Sequence, residues 1–103
     1  MPNNNFTMQP LDLFKVLSDP TRLKLFQLLF NKESRCVCEL VDMLDQPQPT
    51  VSRHLNHLKK LGILTSSREG TWMWYEVAKD LPEWCHDILE ITYNTMAQQP
   101  AVS

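Results

Sequence analysis

Cysteine supplies the most reactive side chains of this chain. Cys36 and Cys38 stand two positions apart, and Cys85 lies alone far downstream. Three is an odd number, and the polar start from Met1 to Gln9 lacks the charged and apolar regions of a secretory leader, so a structural disulfide framework is not expected. A metal or redox role then competes with burial, because free cysteine is among the most buried residue types. On a regular helix, residues two apart point about 200° from each other. Cys36 and Cys38 can therefore share one ion only where the helix is frayed or distorted.

A second group of side chains carries a different chemistry. From Gln48 to Arg68 the charged residues are Arg53, Lys59, Lys60 and Arg68, whereas acids collect in Glu33 to Asp45 and in Asp80 to Glu90. On a helix, Val51, Leu55 and Leu58 share one face and leave Pro49, Arg53, Asn56 and Lys60 on the other, with Gln48, Thr50 and Ser52 at its start. Arginine can pair with both acceptors of guanine, and Gln or Asn with both groups of adenine. Ser, Thr and a helix amino end suit phosphate oxygens. The candidate DNA contacts are thus Gln48, Thr50, Ser52, Arg53, Asn56, Lys60 and Arg68, with Arg53 the strongest. His54 and His57 flank the apolar stripe and read as packing or hydrogen-bonding residues, not as ligands.

A polar helix face alone describes any solvated helix, so the neighbouring elements decide. A short helix over Leu11 to Leu17, apolar on more than one side, suits an interface. Asp19 and Pro20 cap and open a second helix with a core stripe of Leu23, Phe26, Leu29 and Phe30. After a polar break from Asn31 to Arg35, Cys38 to Leu44 forms a third helix, ended by Asp45-Gln46-Pro47. The fourth runs from Gln48-Pro49 to Leu61, where Gly62 stops it. Two helices joined by so short a turn frame a helix-turn-helix. Ile63 to Ser67 and Trp72 to Val77 read as two strands around Arg68-Glu69-Gly70-Thr71, a wing directly after a recognition helix. Pro82 opens a last helix with Trp84, Ile88, Ile91 and Thr95 on a stripe.

The totals agree with this outline. The 103 residues suffice for one domain, with positions 1–8 and 98–103 expected to be loose, and the 43% apolar, 21% charged composition is that of a globular protein. The net charge of -2 argues against a nucleic-acid binder until its distribution is considered: one basic face on an acidic body. No apolar run reaches the roughly 20 residues of a membrane span, so a cytoplasmic location is expected. Paired carboxylates, a nucleophile constellation and a glycine-rich phosphate loop are all missing, so an enzyme is not expected. The fold class read from the residues is mainly α with a small β-hairpin: a dimeric winged helix-turn-helix.

Leu13-Phe14-Lys15, Leu17-Ser18-Asp19-Pro20-Thr21-Arg22, Cys36-Val37-Cys38-Glu39-Leu40, Leu44-Asp45-Gln46, Ser52-Arg53-His54-Leu55 and Leu61-Gly62 occur in this order. Together they resemble the ArsR/SmtB repressors, over about Leu11 to Tyr93, and the Cys-Val-Cys segment is most similar to the arsenite-responsive branch. The resemblance implies a homodimer, formed mainly by the first and last helices, on a partly palindromic operator. It also implies release on binding a metal or metalloid, here As(III) or Sb(III), both soft and thiophilic. Binding at Cys36 and Cys38 would reshape the start of the third helix and so move the fourth. Val41 occupies the position where that branch often supplies a third cysteine, so Cys85, from the same or the other subunit, or a small external thiol is left to complete the site. A second family site in the last helix needs Asp and His ligands from two segments; His86, Asp87 and Glu90 have no second pair after them, so zinc is not expected there. Alternatives are a repressor that responds to thiol oxidation or to another metal, and, with less support, a thiol carrier that never touches DNA.

Overall fold

The computed structural model describes residues 8–30 and 34–98. Five helices and three strands follow in the order α1 (Pro10–Leu17), α2 (Pro20–Phe30), β1 (Arg35–Cys36), α3 (Val37–Leu44), α4 (Gln48–Lys60), β2 (Leu64–Glu69), β3 (Trp72–Val77) and α5 (Glu83–Gln98). This is the expected winged helix-turn-helix, with one strand more than the sequence reading allowed. The expected loose segments lie mostly outside the described residues; Met8 is buried and Gln98 ends α5.

Local chemistry sets the helix boundaries. The Asp19 carboxylate accepts a hydrogen bond from the Arg22 amide at 3.0 Å, which caps α2 where Pro20 needs no donor. In α4, Pro47 occupies the cap and Pro49 the first turn. Between α3 and α4 the chain reverses at Asp45, whose φ of 55° is left-handed and whose amide donates to the Val41 carbonyl at 3.0 Å. Gln46 then donates from Nε2 to the Thr21 hydroxyl at 3.1 Å and ties this turn to the start of α2.

Leu25, Phe26, Leu29, Leu40, Val51, Leu55 and Leu58 are buried side chains where α2, α3 and α4 meet. Each such side chain contributes about 1.5–3 kcal/mol relative to exposure. In α1 the buried pair is Leu13 and Val16, while Leu11 and Phe14 remain 63% and 53% exposed. In α5, Cys85 and Leu89 are buried and Ile91 is 67% exposed. The ring of Phe30 lies 5.3 Å from Tyr93 and 5.8 Å from His86, bringing α5 against α2.

The sheet order is β1-β3-β2, with both pairs antiparallel. β3 covers the expected residues, whereas β2 starts at Leu64 instead of Ile63 and takes in Arg68 and Glu69, so only Gly70-Thr71 connects the strands, with Gly70 at φ 65°. β1 straddles the end of the expected polar break. Its two residues pair with Tyr75 and Trp74 on the free edge of β3, and so short a strand carries no alternation to detect. Among the described residues, no helix is long and apolar enough to cross a membrane.

Candidate nucleic-acid interface and thiol pair

α4 divides into two faces as its sequence requires. Val51, Leu55 and Leu58 are fully buried, whereas Gln48, Arg53, Asn56 and Lys60 are exposed and Thr50 and Ser52 half-buried. No acidic residue lies on this helix, and no side chain caps its amino end. Arg68 is exposed on β2, two residues before the Gly70 turn. All seven expected contacts therefore lie on α4 or the wing.

The sequence reading missed what holds α4 from behind. Arg22 sits one turn before Leu25 and Phe26 on the inward face of α2. Its Nε donates to the Val16 carbonyl at 2.6 Å, and its Nη1 lies 3.2 Å from His54 Nδ1. A guanidinium can only donate, so His54 Nδ1 accepts and its ring is neutral, with the proton on Nε2. Desolvation lowers the His54 pKa; Asp19 opposes this, and Arg22, Arg53 and His57 add to it. The Asp19 carboxyl is itself held below its ordinary value, first by the hydrogen bond from the Arg22 amide. One arginine thus ties the ends of α1 and α2 to the middle of α4. The expected hydrogen-bonding role of His54 is seen here, and His57 is exposed.

Cys36 and Cys38 are brought together: they are joined as a disulfide, with Cα atoms 5.2 Å apart. The angle between residues two apart on a helix does not apply, because Cys36 is extended (φ -72°, ψ 146°) and only caps α3, which starts at Val37 rather than Cys38. Its sulfur accepts the Cys38 amide at 3.3 Å, and its own amide donates to Glu39 Oε1 at 3.0 Å. This is a capping box with a cysteine sulfur in place of the usual hydroxyl, and Cys-x-x-Glu was its legible signal. Cys36 is 2% exposed, while Cys38 is open to solvent. The bond closes a loop of negligible length, so the pair is no structural framework.

Cys85 is placed elsewhere, fully buried at the start of α5, where desolvation pushes its thiol up to about 11. A tight group of possible ligands among the described residues is His86, Asp87 and Glu90, with ligand atoms within 4.8 Å of one another. All three are exposed and come from a single helical stretch.

Residues 19–66 match the family described as bacterial regulatory protein, arsR family. The chain is 40% identical over 89 residues to the arsenic resistance transcriptional regulator ArsR2 of Pseudomonas putida, covering 86% of this chain and 77% of that one. It is 41% identical over 81 residues to the arsenical resistance operon repressor of Escherichia coli, covering 79% and 69%. Among solved structures, the transcriptional repressor BigR from Xylella fastidiosa superposes with a TM-score of 0.73 at 27% identity, over 89% of this chain and 88% of that one. The fold and these relatives are those of transcriptional regulators and not of enzymes. On this likeness and this architecture, the chain belongs to the arsR family of DNA-binding transcriptional regulators.

Proposed function

We propose that this regulator is a homodimeric repressor that holds operator DNA with α4 and the wing and lets go when trivalent arsenic or antimony bridges Cys36 and Cys38. The observation that carries the reading is the convergence of the two sulfur atoms at the cap of α3, the helix packed behind α4. The names of the relatives in Pseudomonas putida and Escherichia coli support arsenic over other inducers. Gln48, Thr50, Ser52, Arg53, Asn56, Lys60 and Arg68 are the proposed contacts, and Leu11, Phe14 and Ile91 the proposed centre of the dimer interface.

The chemistry balances with reduced thiols. Two As–S bonds form, two As–OH bonds break, and the two thiol protons leave with the hydroxides as water. A disulfide cannot do this, so two equivalents of a low-mass thiol must first reduce the pair, leaving as their own disulfide. Exposed Cys38 is the point of entry, and bridging then draws on Cys36, which caps α3. Burial of Cys85 supports a packing role for it and a small external thiol as third donor.

Fluorescence anisotropy of the reduced protein on DNA from upstream of its gene, with arsenite titrated in, tests the proposal. Stoichiometric release is expected. Cys36→Ser and Cys38→Ser should bind DNA within a few-fold of the parent and stay bound, and full release of either overturns the reading. The observed disulfide favours one second reading, a switch worked by oxidation. Release by peroxide in the absence of arsenite would select it.

A further inference from the structure

Cys36 belongs to two elements at once: it ends strand β1 and caps α3. On the strand side, Cys36 is directly opposite Trp74, and Trp74 is directly opposite Ser67. One row of side chains therefore crosses all three strands, from the thiol pair to the wing. Residues opposite each other in an antiparallel pair point to the same face, with Cβ atoms about 4.5–5.5 Å apart. The adjacent row, Arg35, Tyr75 and Ser66, points the other way. Tyr75 is buried in the core, and Arg35 Nε donates inward to the Leu28 carbonyl at 2.9 Å. The row of Cys36, Trp74 and Ser67 thus faces away from the Tyr75 row: Cys36 is buried at one end, and Trp74 and Ser67 line a groove together with Ser34.

We infer that Trp74 is a positioning residue that carries occupancy of the thiol pair across the sheet to the wing, so that the inducer disturbs two DNA-contacting elements instead of one. This rests on the thiol pair being the inducer site. Cys36 is 2% exposed and belongs to the buried core, and its cross-strand neighbour Trp74 is a half-buried indole packed against that core. Any change of sulfur geometry at Cys36 meets that indole, and its strand is bonded along its whole length to β2. Arg68 follows Ser67 directly, and the Gly70-Thr71 tip lies one residue further from the row than Glu69 and Trp72. A tilt of β3 at Trp74 therefore turns Arg68 and the tip relative to α4, and the two halves of the DNA-binding face lose their common register.

The test uses the reduced full-length protein with three readouts: free thiols, tryptophan emission and DNA anisotropy. In Trp72→Phe/Trp84→Phe, which keeps Trp74 alone, arsenite is expected to shift the emission with the same stoichiometry as it blocks the thiols. Trp74→Leu is expected to bind arsenite through both thiols and to bind DNA within about threefold of the parent, yet lose at least about tenfold of the arsenite-induced drop in affinity. Trp74→Phe should restore most of that drop. Full release of Trp74→Leu, or an emission that ignores arsenite while thiols are blocked, overturns the inference. If Trp74→Leu does not fold, the emission of the Trp74-only protein decides. Arsenite that leaves both parental thiols free overturns the thiol reading, and the inference with it.

Discussion

Arg53 points away from a helix whose other face is fully buried, so its side chain can be removed without touching the core. Arg53→Ala is expected to lower operator affinity by about 1–3 kcal/mol, the cost of one bidentate base contact, with unchanged circular dichroism. Anisotropy on operator and scrambled DNA checks it, since loss on the operator alone marks base reading. Arg22 and His54 carry a prediction about pH. A histidine whose folded pKa is depressed binds fewer protons folded than unfolded. Its contribution to stability is complete above the ordinary value of 6.5 and is lost as pH falls through the lower folded value. The unfolding midpoint in denaturant should therefore drop below about pH 6.5, and His54→Gln should flatten that drop. None of this pairing was legible in the sequence, where Arg22 and His54 stand far apart; only the arginine's place on the inward face of an apolar helix hinted at a buried partner.

The helices were legible as elements because each carries its own punctuation: Asp19-Pro20, Pro47, Pro49 and Gly62 mark ends by local sterics. Their inward faces were less so. In α1 the apolar residues leave two readings, and only packing chooses Leu13 and Val16 over Leu11 and Phe14. β1 was hidden because its cause is the distant edge of β3. Two predictions belong here. Leu55→Ala should destabilise the protein by about 2–5 kcal/mol, since it opens a cavity where α4 meets the core. At Asp45, glycine removes a left-handed strain of roughly 1–2 kcal/mol but frees the unfolded chain by about 0.4–1, so Asp45→Gly should stabilise by up to about 1.5 kcal/mol. Denaturant melts check both.

At the scale of the whole molecule, Leu11, Phe14 and Ile91 are apolar side chains left open on the two helices at the chain's ends. Leu11 and Phe14 stand one turn apart on α1, and an exposed apolar patch on a small protein marks an association surface. In the proposed dimer, Phe14→Glu is expected to shift the protein to monomer in sedimentation and to weaken operator binding by at least about tenfold, because two half-sites would no longer be bound together. The candidate site was legible here by residue type, and the basic stretch outweighed a net charge of -2 because sign is distributed and not averaged. Cys36 has a consequence at the scale of lineages. It fills a cap that serine or aspartate fills at least as well, so the fold does not require its sulfur. One nucleotide change turns a cysteine codon into a serine codon. On the proposed function, in a population that never meets the inducer, drift should therefore erode the sensor while leaving a well-folded protein that still grips its operator, and deaf descendants of this chain should outnumber broken ones.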